Sequence, residues 1–279
     1  MKRILLLALA LLMSVLCLAQ TQAPASILIH AKINSETLGT YRNYAVYLPA
    51  EYESSTKNYP VLYLLHGAWD DFEGWVKNGN AKKIADQIIA EGFASPMIIV
   101  MPEGSGQGKE HEWKNQGYYN RPDWSYEDFF FKEFIPYLEE NYRMIGTKQS
   151  RAIAGLSMGG GGSASYALRY PDMFGSACSL SGALGSIKSL DSLSPANASP
   201  LAYISNATPE QVDAIRTVRW FVDCGDDDFL WEANIEFYKE MKRKGVPLQY
   251  RMRDGTHDWE YWQTSLPDVL RFVSVGFAQ

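Results

Sequence analysis

The chain has 279 residues, 46% of them hydrophobic, and 26 Lys and Arg against 32 Asp and Glu give a net charge of −6. An acidic surface is repelled by phosphate backbones and anionic lipid, which argues against nucleic acid or membrane as a partner. A chain of this length buries roughly 70–75% of its unfolded surface, so it needs no disulfide framework to hold a core.

Lys2 and Arg3 precede an apolar stretch from Ile4 to Leu18, shorter than the roughly 20 residues a membrane-spanning helix requires. Cys17-Leu18-Ala19 supplies small residues at the usual cleavage positions, so residues 1–19 read as a signal peptide cut after Ala19. Residues 20–279 then form one α/β domain, secreted or periplasmic, and losing Lys2 and Arg3 takes the net charge to −8. Cys178 and Cys224 sit in apolar, strand-like runs where a thiol behaves as a small hydrophobe. Export makes a bridge between them conceivable, although neighbouring parallel strands seldom offer bridging geometry.

Ile27 to Lys32 and Tyr41 to Leu48 read as two extended segments, the second ended by Pro49. Val61 to Leu65 is a continuous apolar run, as expected of a strand covered on both faces. Ala81 to Glu91 has helical periodicity, and Met97 to Met101 is a second buried strand. Tyr126 to Tyr142 is helical with an internal Pro136 that kinks or divides it. Strand Arg151 to Ala154, helix Gly159 to Tyr170 and strands Gly175 to Leu180 and Arg219 to Cys224 follow. Helix Asn234 to Lys244, strand Leu248 to Arg253 and a closing helix Leu266 to Phe277 complete the chain. This alternation predicts a mostly parallel central sheet with helices on both faces and antiparallel strands at the N-terminal edge. Glu103 to Ser125 and Ala183 to Val218 lack periodicity and read as long loops walling a pocket.

The sharpest local signal is Gly155-Leu156-Ser157-Met158-Gly159, where a strand passes at once into a helix. A serine on such a turn projects its hydroxyl above the strand ends, and the helix N-terminus behind it favours a developing oxyanion. A nucleophilic serine needs a base, and the base an orienting acid. His257, in Asp254-Gly255-Thr256-His257, follows a strand end, where such sheets build their sites. His66 precedes Gly67 after the first buried strand and reads as support for an oxyanion loop; His30 and His111 have no comparable context. Asp226, Asp227 and Asp228 follow strand Arg219 to Cys224. Asp228 is the chosen acid and Asp227 the runner-up, giving the order Ser157, Asp228, His257 of the α/β-hydrolase fold. The backbone N–H groups of Ala68 and Met158 are the expected oxyanion donors. No histidine, thiolate or carboxylate spacing marks a metal site, and the chemistry needs no cofactor.

Taken with Tyr44 to Pro49, Leu64 to Gly67, Arg151 to Gly160, Cys224 to Leu230 and Gly255 to Trp259, the chain resembles esterase-D-type α/β-hydrolases, more narrowly carbohydrate esterase family 1. The resemblance implies an α/β-hydrolase fold and supports Asp228 as acid and Ala68 as donor. It implies hydrolysis of ester-linked acyl groups on plant cell-wall polysaccharide, feruloyl esters first and acetylxylan or short-chain esters second. A formylglutathione hydrolase is disfavoured by the signal sequence. An acyltransferase and a non-catalytic carbohydrate-binding protein on the same scaffold are the further alternatives. Trp69, Trp113, Tyr118, Tyr119, Trp124 and Trp259 fall in the expected loops, and their rings suit a phenolic acyl group or a sugar. Trp262 is the weakest such candidate, since the closing helix is close by.

Overall fold

A computed structural model of the chain describes residues 25–107, 113–114, 117–185 and 199–277. The expected signal peptide lies outside the described residues. Among those residues, no helix is long and apolar enough to cross a membrane.

Eight strands form one sheet: β1 (Ile27–Ser35), β2 (Thr40–Leu48), β3 (Val61–Leu65), β4 (Ile98–Pro102), β5 (Arg151–Leu156), β6 (Ser176–Leu180), β7 (Arg219–Gly225) and β8 (Leu248–Arg253). Their spatial order is β1-β2-β4-β3-β5-β6-β7-β8. β1 pairs antiparallel with β2, and β2 with β4. Every later pairing is parallel. This is the α/β-hydrolase arrangement, with the antiparallel edge where the alternating N-terminal segments placed it.

Both faces of the central strands are buried, which explains their unbroken apolar runs. In β3, Val61, Tyr63 and Leu65 join one core and Leu62 and Leu64 the other, as the two-residue strand period requires. The first core is closed by Phe129, Phe130, Phe134, Tyr166 and Phe237 from helices on that side. The second is closed by Ala85 and Ile88 of helix Ala81–Ala90 and by Leu266, Val269 and Leu270 of the closing helix.

Three elements depart from the sequence expectation. Pro136 does not end its helix: Tyr126–Phe129 and Ile135–Asn141 are joined through a widened π-type turn, Phe130–Phe134. The wider turn accommodates the missing proline N–H just where the ring would crowd the preceding carbonyl. The stretch from Ala183 to Val218 is not all loop, since helices Pro200–Asn206 and Pro209–Ile215 lie within it. The closing helix is Trp259–Gly276, starting seven residues earlier than its periodicity indicated and running through Pro267. Asp258 caps its start by accepting the Tyr261 N–H at 2.9 Å.

Cys178 and Cys224 are free and buried. They lie on adjacent strands, but Cys178 pairs in register with Phe221. Burial pushes both thiols well above their ordinary pKa.

Candidate active site

β5 ends at Leu156, helix Met158–Arg169 begins two residues on, and Ser157 alone makes the turn with φ +52° and ψ −117°. That left-handed backbone is costly for a residue with a Cβ and is held from both sides. The Ser157 N–H donates to the Leu180 carbonyl at 2.9 Å, and its own carbonyl accepts from Ala183 at 3.0 Å. Gly159 permits the first helical turn to press on the β3 loop, since a Cβ there would meet the His66 carbonyl oxygen at 2.5 Å.

The other two strand ends bring their residues to the same place. Asp228 follows β7 and His257 follows β8, and the two loops are stitched by Asp226 N–H to Arg253 O at 3.0 Å and Asp227 N–H to Gly255 O at 3.1 Å. Gly225 is needed for this crossing, because a Cβ would lie 2.1 Å from the Gly255 carbonyl oxygen. His257 Nε2 stands 2.9 Å from Ser157 Oγ, and His257 Nδ1 stands 2.7 Å from Asp228 Oδ2. A carboxylate accepts only, so Nδ1 carries the proton and Nε2 is free to accept the serine O–H. The second oxygen, Asp228 Oδ1, accepts the Leu230 N–H at 2.8 Å. Burial by itself would raise the Asp228 pKa; hydrogen bonds from His257, Leu230 and Ser181 outweigh it and hold the carboxyl below the ordinary value.

Asp227 is exposed and takes no part in this arrangement. Sequence spacing gave no sign that Asp254 would join it, yet the exposed carboxylates of Asp226, Asp227 and Asp254 lie within 4.8 Å of one another. Their exposure makes them solvated loop charges.

His66 is fully enclosed, with Nε2 accepting the Gly104 N–H at 2.9 Å and Nδ1 donating to the Gly67 carbonyl at 2.7 Å. Burial drives its pKa down to about 4, so the ring is neutral. It therefore pins the turn that carries Ala68. Among the described residues, no hydrogen bond uses the N–H of Ala68 or of Met158.

A cleft of about 630 Å³ opens beside Ser157, with Ala68, Trp69, Phe229, Trp259 and Trp262 in its wall. Trp69 and Trp259 occupy the place expected of them. Tyr118, Tyr119 and Trp124 do not. Tyr118 and Trp124 are core residues, with the Tyr118 hydroxyl donating to the His66 carbonyl at 3.1 Å and the Trp124 indole donating to Gly117 at 3.1 Å. Tyr119 is buried with its hydroxyl 3.2 Å from Ser165 Oγ. These three side chains pack into the domain rather than lining the cleft. The backbone of Trp113 pairs with Gln107 in a short hairpin, and its side chain lies outside the described ones.

Phe229 was not anticipated. It is 70% exposed and its ring centroid is 4.5 Å from that of His257. Its position right after Asp228 was the available signal. Trp262 also belongs to the wall, at the end of a row of perpendicular rings. Trp75 and Trp259 are 5.3 Å apart at 87°, Trp259 and Trp262 are 5.3 Å apart at 87°, and Trp262 and His257 are 5.0 Å apart at 89°. Edge-to-face packing of this kind is favourable beyond simple burial. The Trp75 indole N–H anchors the far end on the Leu65 carbonyl at 3.0 Å.

Residues 35–273 match the family model described as "Putative esterase". Among solved structures, a ferulic acid esterase is similar with a TM-score of 0.86 and 44% sequence identity, covering 91% of this chain and 99% of that one. An endo-1,4-beta-xylanase/feruloyl esterase of Xylanibacter ruminicola is 30% identical over 243 residues, covering 85% of this chain and 30% of that protein. An esterase of Mycobacterium tuberculosis, Rv1288, is 28% identical over 277 residues, covering 86% of this chain and 56% of that protein. The chain thus spans 30% and 56% of the length of these two curated relatives. With the strand order and the serine turn of the α/β-hydrolase fold already in place, a family match over nearly all the described residues makes the chain a member of the "Putative esterase" family.

Proposed function

We propose that the protein is a secreted serine carboxylesterase that hydrolyses hydroxycinnamoyl esters, feruloyl esters first, on plant cell-wall polysaccharide. One observation carries the chemistry: Ser157 Oγ, His257 and Asp228 form a continuous hydrogen-bonded line at 2.9 and 2.7 Å beside an aromatic-walled cleft. A cleft of this size and lining suits a phenolic acyl group, whereas an acetyl group would leave most of it unfilled. The similar solved ferulic acid esterase and the xylanase/feruloyl esterase relative support the same substrate class.

Ser157 Oγ attacks the ester carbonyl as His257 Nε2 takes its proton, and Asp228 holds the imidazolium through Nδ1. The N–H groups of Ala68 and Met158 receive the oxyanion of the tetrahedral intermediate, each such donor being worth roughly 3–4 kcal/mol in the transition state. His257 returns the proton to the leaving sugar hydroxyl, which departs and leaves an acyl-serine. The imidazole then draws a proton from water, and the resulting attack releases the carboxylic acid and restores Ser157. No step calls for a metal or cofactor.

The experiment is turnover of methyl ferulate against an aryl acetate by the purified enzyme and its Ser157→Ala variant. The reading expects a marked preference for the ferulate and loss of activity in the variant. A preference for the acetate would replace it with an acetylxylan or short-chain esterase. Export with removal of residues 1–19 is checked by the N-terminal sequence of protein recovered from the medium or periplasm.

A further inference from the structure

The turn that carries Ala68 is fixed at two successive carbonyls. The Gly67 carbonyl accepts from His66 Nδ1 at 2.7 Å, and the His66 carbonyl accepts from the Tyr118 hydroxyl at 3.1 Å. Both peptides are trans, so each N–H points opposite to its own carbonyl. Holding the Gly67 carbonyl therefore aims the Ala68 N–H the other way. Holding the His66 carbonyl sets the plane from which that peptide starts.

The His66 carbonyl is also where the second oxyanion donor is indexed to the first. Helix Met158–Arg169 presses on it so closely that a Cβ at Gly159 would lie 2.5 Å from its oxygen. Tyr118 meets the same helix further along. A Cβ at Gly162 would lie 2.9 Å from Tyr118 Cδ2, and the Tyr118 carbonyl accepts the Tyr166 O–H. On the other edge of the ring, a Cβ at Gly104 would meet Tyr118 Cε1 at 2.3 Å. Gly104 is the residue whose N–H holds His66 Nε2 at 2.9 Å. One fully buried side chain thus joins the nucleophile helix, the loop after β4 and the turn after β3. Burial pushes the phenol well above its ordinary pKa, so the hydroxyl keeps its proton and stays a donor.

We propose that Tyr118 is a positioning residue for the oxyanion hole, its hydroxyl and ring setting the Ala68 N–H against the helix that carries the Met158 N–H. Tyr118 is not part of the cleft wall, so its effect reaches the substrate through the His66–Gly67 turn. The inference rests on the reading of Ser157 as nucleophile and of Ala68 and Met158 as oxyanion donors.

The test is Tyr118→Phe in the full enzyme, read by kcat, KM and two inhibitors. Phenylalanine keeps the ring between Gly104 and Gly162 and lacks only the hydroxyl. An arylboronic acid adds to Ser157 Oγ and places an oxygen where the oxyanion develops, so its affinity reports the hole; the carboxylic acid product reports the ground-state site. Tyr118→Phe is expected to lower kcat about ten- to thirtyfold, part of the roughly hundred- to thousandfold that one whole donor is worth, with KM within about twofold. Boronate affinity should fall by about the same factor as kcat, while product inhibition stays within about twofold. Wild-type kcat, or a lower kcat with boronate affinity unchanged, would overturn the proposal. Equal weakening of boronate and product would overturn it too, since that marks general disorder of the site. Should Tyr118→Phe fail to fold, Tyr166→Phe, which releases the Tyr118 carbonyl, decides by the same readings with an expected loss of about three- to tenfold. Retained activity in Ser157→Ala would instead remove the catalytic reading beneath it.

Discussion

His66 and His257 stand at the C-terminal ends of two parallel strands, and each has both ring nitrogens engaged. They differ in what faces those nitrogens. His66 lies between a backbone carbonyl and a backbone N–H, so neither side rewards a positive charge, and burial holds it neutral with a pKa near 4. His257 lies between a carboxylate and a hydroxyl, is partly open to solvent, and can take a proton on one side while its charge is balanced on the other. The residue type is the same, but only one of the two environments supports proton transfer.

The sharpest way to break that contrast is to remove the proton-transfer pair. His257→Ala and Ser157→Ala should each lower kcat by about 10⁶-fold, measured with the preferred ester. Asp228→Asn should cost about 10⁴-fold, since the amide keeps the shape but reverses the imidazole tautomer. His66→Ala belongs to the other side of the comparison. It leaves the Gly104 N–H and the Gly67 carbonyl unpaired, and denaturant unfolding should show a loss of about 2–4 kcal/mol. Ester hydrolysis should fall as the Ala68 turn loosens but should stay far above the level of His257→Ala, because the base is elsewhere.

Acid unfolding sharpens the same distinction. The His66 pKa is depressed in the folded protein, so unfolded chains bind its proton first. Its contribution is intact above about pH 6.5 and is lost as pH falls toward 4, on the order of 3 kcal/mol over that window. A stability-versus-pH series comparing wild type with His66→Phe should show the flatter slope in the variant. The smallest effect is expected at the exposed Asp227, where Asp227→Asn should leave kcat within about twofold of wild type.

The site was legible because its chemistry is local at each corner. Gly155 to Gly159 announces a strand-turn-helix, and a histidine or aspartate just after a strand run is brought to the strand ends by the parallel sheet itself. Geometry unites the three residues across the sheet, and chain order already implied that geometry. The aromatic wall was less legible, since a tryptophan or tyrosine in a loop carries no mark of which way it packs. Tyr118 turned inward to reach the His66 carbonyl, while Trp69, 75% exposed, turned outward. The helices in the Ala183 to Val218 stretch were hidden by weak periodicity. Thr208-Pro209-Glu210-Gln211 nevertheless spells a capping box with proline at the first helical position, and both reciprocal bonds are made.

The row of indoles that ends against His257 gives the enzyme an optical property. An excited indole is quenched by a protonated imidazole far more than by a neutral one, and Trp262 lies edge-on to that ring at 5.0 Å. The protonation of His257 should therefore be readable in the protein's own ultraviolet emission, with no substrate or dye. The difference between the emission titrations of wild type and His257→Gln would isolate that signal from the remaining tryptophans.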